Sequence, residues 1–594
     1  MELSLNGKTI SEYDRLSLEQ SFVGHHRAEI HLPAFVLGGG GATDYVNLKE
    51  LTSKYVGEKA SLHLKEGTSE NNSFREESRF VFEGIVAGIQ LQKLDMVNTL
   101  LAVTLLSPTI LLDTGEVTQS FTEKSLDAVV KEVIKPAGAG LTSTVSTEFK
   151  GTIPYVTQYQ ETSLHFLQRL ADTYGEWCFY NGTKFIFGKP AASSTTTELE
   201  YGSNLNHLEY QLQLAPATAK GSYYDYLTDK LYEAPSAGES VSDLQEFARA
   251  ALSKSDKFFP METRNISFQG YQEAGALKRA VKMEKSVASN QLAICKGLSN
   301  SLQLKLGGLV KIKDDVFENG NKLRSDNYGT FLITELRHFM DARGVYQNSF
   351  EAIPQDTTFP PVKYMTIPPK AESQPARVKE VGDEKNMGRV RVQFYWQPDG
   401  QKTPWIRVAS LMSGDKQGVY FTPEVNDVVF VDFEFGNPDL PFVRGAMYHG
   451  STLPGDKLFH KENNFKGIIT RGGNHVLIDD SSGKEEIRIF NKDTKNEVRL
   501  SLNGETLISI KSEGKIKLEG KEVEIKAQKI SMSADQDWKV ETNRASVQAQ
   551  STLKMEGAQI TVDGKSKASV KAGGQLDLEG SATASLKGGV VKIN

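Results

Sequence analysis

Residues 507–532 read Leu507-Ile-Ser-Ile-Lys-Ser-Glu-Gly-Lys-Ile-Lys-Leu-Glu-Gly-Lys-Glu-Val-Glu-Ile-Lys-Ala-Gln-Lys-Ile-Ser-Met532. Apolar side chains stand two apart at Ile508/Ile510, Ile516/Leu518, Val523/Ile525 and Ile530/Met532. The pattern continues at Trp538/Val540, Leu553/Met555, Ile560/Val562, Leu576/Leu578 and Val591/Ile593. A period of two is that of a strand with one buried face. The pairs recur roughly every seven or eight residues, but a coiled coil would place its apolar residues at i, i+3 and i+4. Gly514, Gly520, Gly557, Gly564 and Gly580 also weigh against a long helix. Strands need neighbours for their backbone groups, and no adjacent segment offers a complementary sheet or helix. A single-chain β-helix is the alternative, but its repeats are shorter, with a regular small-residue code. The longer, drifting spacing here fits better an intertwined prism of three identical chains, apolar inside and rich in Lys, Glu, Ser and Thr outside. Its shared core would hold Ile508, Ile510, Ile516, Leu518, Val523, Ile525, Ile530, Met532, Leu553, Met555, Ile560 and Val562. Such a prism has the geometry of a rigid needle.

The remainder is conventional globular material. At 594 residues, 24% charged and 39% hydrophobic, the chain has room for several domains. A net charge of −6 and a pI near 6.0, with no dense Lys/Arg cluster interleaved with aromatics, give a nucleic-acid groove no support. Cys178 and Cys295 are the two cysteines, which suggests neither a disulfide framework nor a thiolate metal cluster, and a reducing compartment is the default. Residues 1–10 lack the apolar core of a signal peptide. The most apolar window, 100–112, is interrupted by Thr104, Ser107 and Pro108 and is too short to cross a bilayer as a helix.

Along the chain, residues 80–89 and 98–106 read as strands. Ser125 is placed to cap a helix presenting Leu126, Val129, Val130, Val133 and Ile134, ended by Pro136. A second helix follows Thr162, aligns Phe166, Leu167, Leu170 and Tyr174, and stops at Gly175. Strands 177–180 and 184–187 then flank an Asn181-Gly182 turn. Helical spacing returns over 242–259 and from about 272 to 288, and strands at 302–312, 328–339 and 346–353. Pro354, Pro360, Pro361, Pro368, Pro369 and Pro375 mark a linker. Beyond it, Gly388-Arg-Val-Arg-Val-Gln-Phe-Tyr-Trp396 sends Val390, Val392 and Phe394 to one side. Short strands at 405–409, 418–421, 427–435 and 442–448 complete a small barrel of the OB type.

These residues resemble a known family. The segment 388–396, Thr403-Pro-Trp-Ile-Arg-Val-Ala409, Tyr420-Phe-Thr-Pro-Glu-Val425 and Phe435-Gly-Asn-Pro-Asp-Leu-Pro-Phe442 are similar to the OB signature of VgrG proteins, the spikes of bacterial type VI secretion systems. Gln158-Tyr-Gln-Glu-Thr-Ser-Leu-His-Phe-Leu-Gln-Arg-Leu170 is similar to the helix motif of the family's hub domain. Asn464-Phe-Lys-Gly-Ile-Ile-Thr-Arg471, with Gly483-Lys-Glu-Glu-Ile487, is similar to its transition into the needle. Asn426 departs from the pattern where Gly is expected, and Leu440 where Arg is common; Asn tolerates a left-handed backbone better than most residues.

The resemblance implies a mainly β chain: a phage-hub-like base at 1–360, a proline-rich linker at 361–375, an OB collar at 376–450 marked by Gly388, Trp405, Gly436, Asn437 and Pro438, a transition at 451–475, and a trimeric triple-stranded β-helix needle at 476–594. It further implies a homotrimer that caps a tube of Hcp rings, docks with baseplate components, carries a PAAR-type cone and effectors, and crosses a target-cell envelope when a sheath contracts. The chain would wait in the cytoplasm and leave without a signal peptide. The tip would be Val590, Val591, Lys592, Ile593 and Asn594, whose open strand edge is a platform for another β-protein. A phage or extracellular contractile particle, or a trimeric surface fibre, would use a similar prism.

Chemistry of its own is not expected. Residues 451–465 leave no space for a lysozyme domain between collar and needle. Asp456 and Glu462 in that charged stretch read as solvated carboxylates. No HExxH, P-loop, GxSxG or CxxC pattern occurs, and the Gly38–Gly41 run reads as a loop. His25, His26 and His31 read as strand residues, and no His follows His475 to hold a metal in the needle. Neither cofactor nor metal is expected.

Overall fold

The computed structural model describes residues 1–593 apart from 39–45, 66–78, 96–97, 191–195, 242–243, 267–273, 319–320, 356–357 and 365–366. Gly39, Gly40, Gly41, Ser242, Gln272 and Asn594 therefore lie outside the described residues, while Gly38 closes the short helix Ala34–Leu37. The chain divides into two compact units, Met1–Phe459 and His460–Asn594.

The first unit is built on a 13-stranded sheet. Arg15–Ser21 and Arg27–Pro33 alternate inward and outward, and the cross-strand row Leu18, Ala28, Leu105, Val86 is fully buried. Strict alternation pins this register, because a slip of one residue would turn every apolar side chain outward. The 21-residue strand Asn321–Asp341 is shared between cores, its Leu332 joining a small cluster with Phe22, Trp177 and Phe179. It contributes Met340 to the N-terminal one and Phe331, Ile333 and Leu336 to a second, with Cys295, Val310 and Phe350.

The helix Leu126–Ile134 starts where Ser125 Oγ accepts from the Ala128 amide at 3.3 Å. The helix Ser163–Tyr174 starts at Thr162 and ends at Gly175, whose φ of 71° is the left-handed cap that glycine adopts without penalty. Both bury their apolar face. Later helices are Glu246–Phe258 and Ala274–Asn290. The latter lies on the sheet Lys230–Pro235, Ala219–Asp225, Thr263–Ile266, so close at Gly221 that an added Cβ would sit 2.8 Å from Val281.

Three local expectations change. The strand expected at 302–312 runs instead over Leu309–Glu318. Leu302, Leu304 and Leu306 are buried in irregular chain before it, where burial rather than pairing set the apolar spacing. A strand at Ala293–Ser299 has no counterpart in the expected pattern, because its inward positions Ala293, Cys295, Gly297 and Ser299 are small and give no aliphatic alternation. The proline-rich stretch is not a free tether. Phe359 and Tyr364 are buried, the Cys178 amide donates to Tyr364 Oη at 2.8 Å, and Asn290 Nδ2 donates to the Pro361 carbonyl at 2.8 Å.

The OB sheet runs in the order Arg391–Phe394, Gln374–Glu380, Val428–Phe433, Pro441–Ala446. It closes on itself through isolated bridges, Val390 to Ile406 and Val408 to Val443, in place of the full strand expected at 405–409. Of the segment 418–421, Gly418 pairs in the two-residue ladder Ser413–Gly414 with Gln417–Gly418, and the Val419 amide donates to the Met412 carbonyl at 3.0 Å. Val390, Val392, Phe394, Ile406, Val429 and Val431 fill the barrel. Asn426 takes φ 79°, the left-handed conformation expected of a residue standing in for glycine.

A buried ion cluster joins the OB barrel to the sheet and helices of the same unit. Arg169 pairs with Glu161 at 2.7 Å and Asp439 at 3.3 Å, and donates to the Thr157 carbonyl at 2.7 Å. Asp439 in turn accepts from the Thr157 amide at 2.6 Å. Burial raises the Asp439 carboxyl above its ordinary range while Arg169 pulls it down.

Candidate functional site

The second unit carries the surface most in need of a partner. Phe465–Ile469, His475–Asp479, Glu486–Phe490, Asn496–Ser501 and Leu507–Ser512 form an antiparallel meander. Its register lines up one cross-strand row of Ile468, Val476, Ile489, Val498 and Ile510, and a second of Ile478, Ile487, Leu500 and Ile508. Both rows lie on the same face. Eight of the nine side chains are exposed, up to 74% at Ile508.

The opposite face carries most of the charged side chains. Arg488 pairs with Glu497 at 2.6 Å and Arg499 with Glu486 at 2.6 Å, while His475 stacks on Phe490 at 4.4 Å. That face suits water, and the aliphatic face does not. A groove of about 510 Å³ runs along it past Ile468, Val476, Ile489, Ile510 and Ile516. An exposed apolar surface of this extent marks an interaction site. Covering each side chain is worth about 1.5–3 kcal/mol.

Beyond Ser512 the chain is extended and bends at 513–514, 521, 528, 535–536, 543, 550–551, 558, 565–566, 573–574, 581–582 and 589–590. An apolar i, i+2 pair sits between successive bends. Ile516, Leu518, Val523, Ile525, Ile530, Met532, Leu553, Met555, Ile560 and Val562 are all exposed in the single chain, as are Ile508 and Ile510 on the meander. At the far end Val590, in the last bend, and Val591, Lys592 and Ile593 beyond it are all exposed. The bends also reveal layers that large side chains alone had not marked: Ala545/Val547, Ala568/Val570 and Ala584/Leu586 occupy the same place between bends. Their spacing was present in the sequence, but an alanine in each pair hid it.

The structure places the collar residues at turns and at a stacked side chain. Gly388 has φ 69° under the Tyr420 ring, where a Cβ would come within 2.7 Å. Trp405 lies beneath the Arg391 guanidinium at 5.0 Å. Gly436, Asn437 and Pro438 form the turn that presents Asp439: the Asp439 amide donates to Asn437 Oδ1 at 2.9 Å, and Thr157 Oγ1 donates to the Pro438 carbonyl at 3.4 Å. Asp439 and Arg169 form an ion pair that the sequence does not reveal. A buried Arg facing an Asp distant in sequence shows itself only in three dimensions.

No catalytic constellation gathers among the described residues. His25 contacts Thr109 at 2.8 Å and Asp113 at 3.3 Å, His31 contacts Glu29 at 2.8 Å, and His26 is buried. Asp456 and Glu462 are each exposed. Burial pushes both thiols up, Cys295 to about 12, so neither is a nucleophile near neutral pH.

Comparison with known proteins accounts for this architecture. The phage tail baseplate hub family (GPD) matches residues 46–344, and the type VI secretion system/phage-baseplate injector OB domain matches 374–448. The Pseudomonas aeruginosa type VI secretion system spike protein VgrG4b is 27% identical over 56% of this chain and 45% of its own length. VgrG1a of the same species is 24% identical over 62% of this chain and 61% of its own length. The chain thus spans less than two thirds of the length of either relative.

Among solved structures, a Francisella PdpA-VgrG complex superposes with TM-score 0.54 over 86% of this chain and 88% of that one, at 9% identity. An E. coli type VI secretion component, described as structurally similar to T4 bacteriophage tail proteins, gives TM-score 0.50 over 75% of this chain and 100% of that one, at 15% identity. At such identities these likenesses show the fold. The hub match alone spans just over half of the 594 residues, and the chain belongs to the phage tail baseplate hub family.

Proposed function

We propose that the chain is the spike of a type VI secretion machine, a homotrimer whose second unit closes three aliphatic faces onto one another. The observation that carries this reading is the two-row aliphatic face, polar on its reverse, continued by regularly bent extended chain with its apolar pairs uncovered. Three copies related by a threefold axis bury all of these pairs at once, and supply the backbone partners that a single extended chain lacks.

On this reading the hub caps an Hcp tube and meets baseplate components, and the OB barrel forms the collar. The strand end at Val590, Val591, Lys592 and Ile593 seats a PAAR-type cone with its effector cargo. The work is mechanical, with no catalysis by this chain and no cofactor. The spike waits in the cytoplasm and is driven outward through the target envelope on contraction. The VgrG relatives and the fold support this reading. Light scattering on the full chain tests it: a mass of three times 65.6 kDa is expected, and a monodisperse folded monomer would overturn it.

A further inference from the structure

Away from the association face, the hub holds a file of buried polar side chains that the spike function does not use. Gln20, His26, His338 and Asn348 are each at most 3% exposed. His26 Nε2 lies 3.1 Å from the Ser21 carbonyl, which only accepts, so Nε2 carries the proton and Nδ1 accepts from Gln20 Nε2 at 3.2 Å. The other end of the Gln20 amide, Oε1, faces His338 Nε2 at 3.1 Å, which must therefore donate. His338 Nδ1 then accepts from Tyr346 Oη–H at 2.7 Å. Tyr346 Oη accepts from Asn348 Nδ2 at 3.0 Å, and that amide also donates to the Ser301 carbonyl at 2.8 Å. Every donor in this file has one direction, and the file stitches Arg15–Ser21 and the turn after it to the strands Asn321–Asp341 and Tyr346–Pro354.

We propose that this file is an acid-sensitive latch of the hub, closed while both imidazoles are neutral and forced open when either takes up a proton. A proton on His26 Nδ1 would face the Gln20 NH2, donor against donor. Turning the amide over only moves the conflict to His338 Nε2, and shifting that tautomer moves it to Tyr346. No member can absorb the charge alone, and an unpaired buried donor or charge is costly. Among the described residues, no counter-ion faces either imidazole. His26 packs against Phe82 and Tyr180, and the Tyr180 hydroxyl is spent on the Glu83 carbonyl. His338 packs against Phe80 and Tyr346. The adjacent His25 faces Asp113, not the file.

Burial accordingly holds His26 at about 4 and His338 at about 3, against 6.5 for a free imidazole. Because the closed state binds fewer protons than the open one, the latch is at full strength above pH 6.5 and weakens as pH falls toward these values. At about pH 5 each histidine raises the opening constant roughly 30-fold, and the two together about 10³-fold, relative to pH 7.5.

Deuterium exchange of the full-length protein between pH 7.5 and 4, corrected for the intrinsic pH dependence of exchange, tests the latch. Peptides covering 15–33 and 331–354 should lose protection steeply below pH 6.5, and each of His26→Gln and His338→Gln should flatten that response. Protection that persists unchanged to pH 4, or folded variants that open with the same pH profile as the parent, would overturn it. Exchange at the imidazole C2 position in the unmodified protein decides the matter even if both variants fail to fold. Both histidines should titrate far below 6.5, and a value near 6.5 for either removes the latch.

Discussion

Replacing Arg169 by Met should loosen the OB barrel from the hub without unfolding either. Arg169 is nearly sealed from water and holds two carboxylates, Glu161 at 2.7 Å and Asp439 at 3.3 Å, as well as the Thr157 carbonyl. Methionine keeps much of the stem's volume and removes the charge, leaving two acidic groups facing one another in a buried site. Breaking a buried ion pair from one side costs about 3–5 kcal/mol. In a multidomain chain that cost is best read locally, because global unfolding is not two-state.

The Thr157 amide donates to Asp439, so amide exchange over 152–161 reports the clamp directly. At 1.4 kcal/mol per tenfold, the lower bound predicts exchange at least about 150-fold faster in Arg169→Met. The deficit should shrink in acid, because without its cation the buried Asp439 takes up a proton and ceases to be an uncompensated charge. Adding Asp439→Asn to the variant should recover part of the loss for the same reason. Exchange within about threefold of the parent at neutral pH, or a deficit that grows in acid, would show that the cluster does not hold the two parts together.

Three further outcomes follow from named contacts. Ile487→Lys places an ammonium in the middle of the second aliphatic row, so light scattering should show the trimer lost; a trimer of unchanged mass would move the association surface elsewhere. Gly175→Ala forces a side chain into φ 71° with its Cβ 3.2 Å from Met283 Sδ, and should cost about 1–2 kcal/mol, read as a lowered unfolding midpoint of the hub. The Arg389 guanidinium beside Asp383 holds that carboxyl well below its usual 3.8. The pair's contribution is therefore in place above about pH 4 and lost as pH falls below it. Asp383→Asn should remove that part of the acid-unfolding limb, and an unaltered limb would count against the pair.

The sequence by itself determined whatever depends on neighbours in the chain. The alternation at 388–394, the caps at Ser125, Thr162 and Gly175, and the i, i+2 pairs of 508–593 are local patterns. In each, one residue's chemistry acts on a backbone a few positions away. The pattern of 508–593 called for a partner that no complementary segment of the sequence supplies. Where the signal depended on side-chain size it faded: Ala293, Cys295 and Gly297 form a buried strand face too small to read as one, and Ala545, Ala568 and Ala584 obscured three of the apolar pairs between bends.

Only the tertiary structure decided the rest. It set Arg169 against Asp439 across 270 positions of sequence, Gln20 against His338 across 318, and the two rows of the meander on one face through a register fixed by four successive hairpins. These contacts arise from how strands pair and layers pack, which depends on the sum of many weak burial terms over the whole unit, so no short window of sequence contains them.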